Sequence, residues 1–255
     1  MWRLWLSLVW LALLGLRWSQ VDLQAGFDPT PLWAQRWQPW MWLPVFSFWG
    51  GAVVWAWRLR PQLLQSLSLS SAWQRYCIAQ LSFFFLLPAL QGLAPVYFQL
   101  AVGLYFLLTL WPLRKLDWRP APDWWRWGLS AYLLGLLLAV VIYAIFQPSA
   151  SHNPAVTHLL QSRGGERVLW LFCLCLLTPL HEEAWYRSVL GGPNRQRILF
   201  SAALFALVHV DPKALPQLFG LGLLFNWARW GGGYPAAVLA HALWNSTVAV
   251  FLLGA

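Results

Sequence analysis

Residues 76–113 run for 38 positions without a single charged side chain. A soluble domain has no way to cover so long an apolar run, whereas one helical crossing of a hydrocarbon layer about 30 Å thick needs only about 20 residues. The run is therefore read as two crossings folded into a helical hairpin, with Pro88, Gly92 and Pro95 interrupting its middle. Residues 37–57 and 128–146 are uncharged over 21 and 19 positions, enough for one crossing each. Inside lipid every backbone amide must be satisfied within its own segment, which selects helices. The expected fold is an all-α, multi-pass transmembrane helical bundle of about eight or nine helices.

Composition narrows the class further. The chain is 60% hydrophobic and 10% charged, against roughly 25% charged residues in an ordinary soluble domain. That balance excludes a soluble globule, a disordered chain, a collagen and a coiled coil. The net charge of +9 lies mostly in short loops at 58–75, 114–126 and 191–197, where it reads as a cytoplasmic orientation signal. Nucleic acid is not an expected partner; the lipid bilayer is. Many of the 22 Trp, such as Trp37, Trp40, Trp111, Trp118 and Trp230, fall near the ends of apolar runs, as interfacial indoles do. Cys77, Cys173 and Cys175 lie inside apolar runs and read as packing residues, with no disulfide framework.

The apolar run at 4–16 is followed by Arg17 and Trp18 without an A-x-A cleavage site, and is expected to stay as a tilted or interfacial first helix. Residues 148–166 read as a polar connection. Four shorter runs follow, at 168–190, 198–210, 214–230 and from 235 onward. No internal repeat is visible. The chain thus divides into N-terminal membrane helices at 1–164 and a compact core at 165–255.

The core carries the chemistry. Glutamate occurs three times in the chain, and two of the three, Glu182 and Glu183, adjoin inside an apolar run. A charged group at mid-bilayer costs about 2.5–3.5 kcal/mol on insertion scales, so the doublet points to a function. Glu183 and Arg187 are four apart and share a helix face as an ion pair, while Glu182 is turned about 100° away and left free to activate water. Phe205 and His209 are again four apart, as are His241 and Asn245, on two later helices. Three helices that bring these faces together would enclose a base, a second proton carrier and hydrogen-bond donors.

The ordered set Glu182-Glu183-x-x-x-Arg187, Phe205-x-x-x-His209 and His241-x-x-x-Asn245 resembles the motifs of the CPBP (CAAX protease and bacteriocin-processing, Abi) intramembrane proteases, relatives of the CAAX prenyl endopeptidase Rce1. The resemblance covers roughly residues 165–250. It implies an endopeptidase in a membrane-embedded cavity, acting on a membrane-associated peptide or protein substrate, in the plasma membrane of a prokaryote. By motif position, Glu182 is the general base assisted by His209, and His241 with Asn245 form the oxyanion hole. Glu183 and Arg187 hold the site together, and Phe205 supports it by packing. Glu182, His209 and His241 are residue types that bind zinc, but the local H-E-x-x-H spacing of zinc proteases is absent. The expected mechanism uses no metal and no other cofactor.

Three other readings compete with catalysis. The acidic doublet could serve as a structural ion-pair cluster, and His241 with Asn245 as interhelical hydrogen-bonding glue. Such a chain would be a non-catalytic scaffold or bacteriocin-immunity protein of the same fold. Buried carboxylates and imidazoles also build proton relays in transporters, although those commonly show repeated halves. His181 adjoins the doublet but lies outside the motifs and is assigned a supporting place at most.

Overall fold

The computed structural model describes residues 2–18, 21–22, 26–27, 71–90, 92–110, 119–146, 154–192, 195–211 and 214–254. The expected crossing at 37–57 lies outside the described residues. Among those described, nine helices form a membrane bundle, beside a two-residue antiparallel ladder that pairs Val21–Asp22 with Gly26–Phe27. The helices are α1 (Trp2–Trp18), α2 (Ser71–Leu90), α3 (Pro95–Leu110), α4 (Trp124–Phe146), α5 (Pro154–Gln161), α6 (Gly164–Leu190), α7 (Arg195–Val208), α8 (Leu215–Gly232) and α9 (Tyr234–Gly254). Residues 124–142, α6 and α9 are each long and apolar enough to cross a membrane. Leu137, Val140, Val250 and Phe251 lie exposed on α4 and α9, as expected of side chains that meet lipid.

The 38-residue uncharged run is a hairpin of α2 and α3. Its break falls between the end of α2 at Leu90 and the start of α3 at Pro95, with Leu93 N–H donating to Leu90 O and Phe98 N–H to Ala94 O. Pro88 stays within α2, and Pro95 opens α3, the position where a missing N–H costs nothing. Residues 148–166 depart from expectation. They contain α5, and α6 begins at Gly164, four residues early. Polar composition hid a short amphipathic helix whose buried Leu159 packs with Trp170 of α6, while His158 stacks on the same indole at 5.7 Å.

The two halves of the hairpin lean against α6, as do α7, α8 and α9, while α4 packs on α8 and α9. Small residues let these helices approach closely. A Cβ at Gly222 of α8 would stand 2.9 Å from the Ala202 Cα of α7, and one at Gly128 of α4 would stand 2.8 Å from the Ala236 carbonyl oxygen of α9.

Helix α6 is not regular. It widens to π geometry at Cys173–Leu177 and again at Ala184–Leu190, on either side of an α-helical turn, Thr178–Glu183, that holds the acidic doublet. Pro179 accounts for the first widening. In a regular α-helix its ring would press on the carbonyl four residues back. Instead Thr178 N–H reaches five residues back to Cys173 O, and the looser turn makes room. Such π-turns recur at functional sites.

Candidate active site

The doublet splits as the helical spacing requires. Glu183 points into the core, where its Oε2 lies 3.1 Å from Arg187 Nε, and both side chains are fully buried. The guanidinium is held from several sides: its Nη1 donates to Ser201 Oγ at 3.3 Å and its centre lies 4.5 Å above the Phe205 ring. A buried carboxylate without such company would cost several kcal/mol.

His241 of α9 completes the cluster. Its Nδ1 lies 2.8 Å from Glu183 Oε1, and its Nε2 lies 3.8 Å from Glu182 Oε2. A carboxylate can only accept, so Nδ1 carries the proton of that bond, and in a neutral ring Nε2 keeps its lone pair. Glu183 thereby orients the imidazole so that Nε2 faces Glu182. Phe225 of α8 stacks on the ring at 4.9 Å, and Tyr234, at the start of α9, donates to Leu180 O at 2.6 Å, tying α9 to the turn that bears the acids.

His209 and Asn245 stand further out. His209 lies just past the end of α7; its Nδ1 is 2.6 Å from Phe205 O and its ring meets the Phe205 ring at 4.8 Å. Among the described residues, no hydrogen bond or ion pair joins it to either acid. The backbone turns sharply after it, since Val210 takes φ 53°, a rare conformation for a β-branched residue. Phe205 packs between Arg187, His209 and His241. Asn245 donates through Nδ2 to Leu174 O at 2.8 Å. That bond has a local cause. Leu174 O lies in the π-turn, where its partner five residues on is Pro179, which has no N–H.

Glu182 faces elsewhere. Its side chain is 18% exposed and borders a cavity of about 200 Å³. Trp10 of α1, Tyr76 of α2 and Phe106 of α3 line one side of this cavity, and His181, Glu182 and Tyr186 of α6 the other. His181 is more central than its place outside the motifs suggested: it is buried, stacked on Phe106 at 5.7 Å, and its Nε2 has no hydrogen-bond partner among the described residues. Tyr76 and Tyr186 were missed altogether; their hydroxyl oxygens lie 3.0 Å apart across the α2–α6 boundary. The available signal was spacing, since Tyr186 is four residues beyond Glu182 and Trp185 four beyond His181. Among the described residues, no three His, Cys, Asp or Glu side chains converge in the way a metal ion requires.

A buried acid–arginine–imidazole cluster between apolar helices, with one carboxylate left on a cavity wall, defines a class: membrane helical bundles with an internal acid–base centre. Residues 164–247 match the family described as type II CAAX prenyl endopeptidase, Rce1-like, so the resemblance drawn from the three motifs holds over that stretch. The chain is also similar to the membrane-embedded CAAX protease MroQ of Staphylococcus aureus (strain USA300), with 31% identity over 98 residues, covering 33% of this chain and 40% of that protein. The chain thus aligns with about two fifths of that relative's length. No solved structure matches it.

Proposed function

We propose that the chain is a multi-pass intramembrane endopeptidase of a prokaryotic plasma membrane. It hydrolyses a peptide bond in a membrane-associated peptide or protein with Glu182 as general base. One observation carries this reading: of two adjacent acids, Glu183 is neutralised by Arg187 and His241, while Glu182 is left on the wall of a cavity. A water held at Glu182 loses a proton to the carboxylate as its oxygen attacks the scissile carbonyl. His241 Nε2, aimed by Glu183, is a second acceptor beside the same carboxylate. Arg187 and Phe205 hold these groups in register. His209 and Asn245 take their assisting roles from the motif resemblance, and the reading needs no metal or other cofactor.

The test uses the full chain in proteoliposomes with a library of membrane-anchored peptides, with cleavage read by mass spectrometry. The parent is expected to cut a subset, and Glu182→Gln, melting at the parent temperature, is expected to cut the same peptides about 100- to 10,000-fold more slowly. Equal cleavage by the variant would sink the mechanism, and no cleavage by either would favour the scaffold reading.

A further inference from the structure

The donors that the motif resemblance assigns to the oxyanion are partly engaged elsewhere. Attack on a carbonyl builds negative charge on its oxygen, and preorganised donors must meet it. The Nδ1 proton of His241 is committed to Glu183 Oε1, and one Asn245 amide proton to Leu174 O. Neither His241 nor Asn245 belongs to the wall of the cavity that Glu182 borders. Two tyrosines do line it, Tyr76 and Tyr186. Their hydroxyls contact one another at 3.0 Å. Two phenols bring two O–H protons, and one shared contact uses one. Among the described residues the other O–H has no acceptor, so the pair holds a surplus donor.

Burial and spacing say which hydroxyl keeps it. Tyr76 is wholly buried, while Tyr186 retains 5% exposure. Tyr186 also lies one turn beyond Glu182, and both border the cavity. We propose that Tyr186 donates its hydroxyl hydrogen bond to the oxyanion of the scissile carbonyl, and that Tyr76 is the positioning residue that donates to Tyr186. This rests on the endopeptidase reading. A chain of two hydroxyls polarises in the direction of the developing charge, which strengthens the terminal donor.

The step balances with groups already in place. Water gives a proton to Glu182 while its oxygen bonds to the carbonyl carbon, and the C=O pair moves onto the carbonyl oxygen. Tyr186 donates a hydrogen bond to that oxygen and keeps its proton. Collapse restores C=O and breaks the C–N bond, and the proton on Glu182 passes to the departing nitrogen. The products are a carboxylic acid and an amine.

The experiment compares the parent with Y186F, Y76F and the double variant, in proteoliposomes, on a peptide whose cleavage depends on Glu182. Loss of one oxyanion donor is expected to lower kcat about 100-fold in Y186F with KM little changed. Y76F, which removes only the buttress, is expected to lose about 3- to 10-fold, and the double variant no more than Y186F alone. A phosphonate analogue of the same peptide, which mimics the tetrahedral intermediate, should weaken in Y186F by the same factor as kcat/KM. A purely structural tyrosine would not tie those two losses together. If Y186F melts below the parent, Y76F carries the test through the same paired measurements. An active parent whose Tyr→Phe variants keep kcat and analogue affinity overturns the inference alone. A parent with no Glu182-dependent cleavage overturns the endopeptidase reading and the inference with it.

Discussion

The cavity has two walls of different origin. One belongs to α6, within the stretch that matches the Rce1-like family, and presents His181, Glu182, Trp185 and Tyr186. The other belongs to α1, α2 and α3, outside that stretch, and presents chiefly apolar and amide side chains such as Trp10, Leu13, Gln80, Gln99 and Val102. The comparison teaches a division of labour. The groups proposed to react ride on a helix whose turns are widened around them, and the space in front of them is bounded by helices that carry no acid of their own. Changes on the two walls should therefore fail differently.

The largest effect is expected at Glu182. Its replacement by Gln should reduce turnover about 100- to 10,000-fold, the usual contribution of a general base, with thermal stability kept. Behind the same wall, Arg187→Met leaves Glu183 buried beside only an imidazole. It should cost about 3–5 kcal/mol, read as a lower unfolding midpoint in detergent titration. A variant that unfolds at the parent midpoint would show that the ion pair is dispensable and that the wall is held by packing alone. On the opposite wall, Leu13→Ala should shift KM and the preferred peptide by about 10-fold and leave kcat near the parent value. Equal losses in kcat and specificity would erase the distinction between the walls. The smallest effect belongs to Asn245→Leu, which strips the donor from Leu174 O and should cost about 1 kcal/mol of stability. Glu182-dependent cleavage that vanishes in this variant, at unchanged stability, would return Asn245 to the oxyanion role that its motif position implies.

Parts of this arrangement were legible in the sequence because their cause is local. The α2–α3 hairpin follows from the length of one uncharged run, and the Glu183–Arg187 pair from a four-residue spacing on one helix. The opposed directions of Glu182 and Glu183 follow from the 100° step between neighbours. Other parts depend on partners far along the chain. Tyr186 finds Tyr76 at a separation of 110 residues, and nothing in either segment announces the other. Likewise, only the folded bundle fixes which carboxylate the His241 ring meets through its Nδ1, and that is Glu183. Helix α5 was overlooked because eight residues with a narrow apolar face look like a loop until Trp170 is there to be covered. The first π-turn had a visible cause in Pro179, but its usual reading is a kink, and the choice between kink and widening lies with neighbours such as Asn245 that satisfy the stranded carbonyl.

The sharing of Glu183 has a consequence for how such a chain is made. Arg187 is four residues away, so the two opposite charges can enter lipid together on one segment, already partly compensated. His241 lies 58 residues downstream and joins only after α7 and α8 have been inserted. A nascent chain paused before that point holds both acids without the imidazole that meets them, so on the endopeptidase reading proposed above its centre is still incomplete. On that reading the order of synthesis delays completion of the centre until α9 is in place.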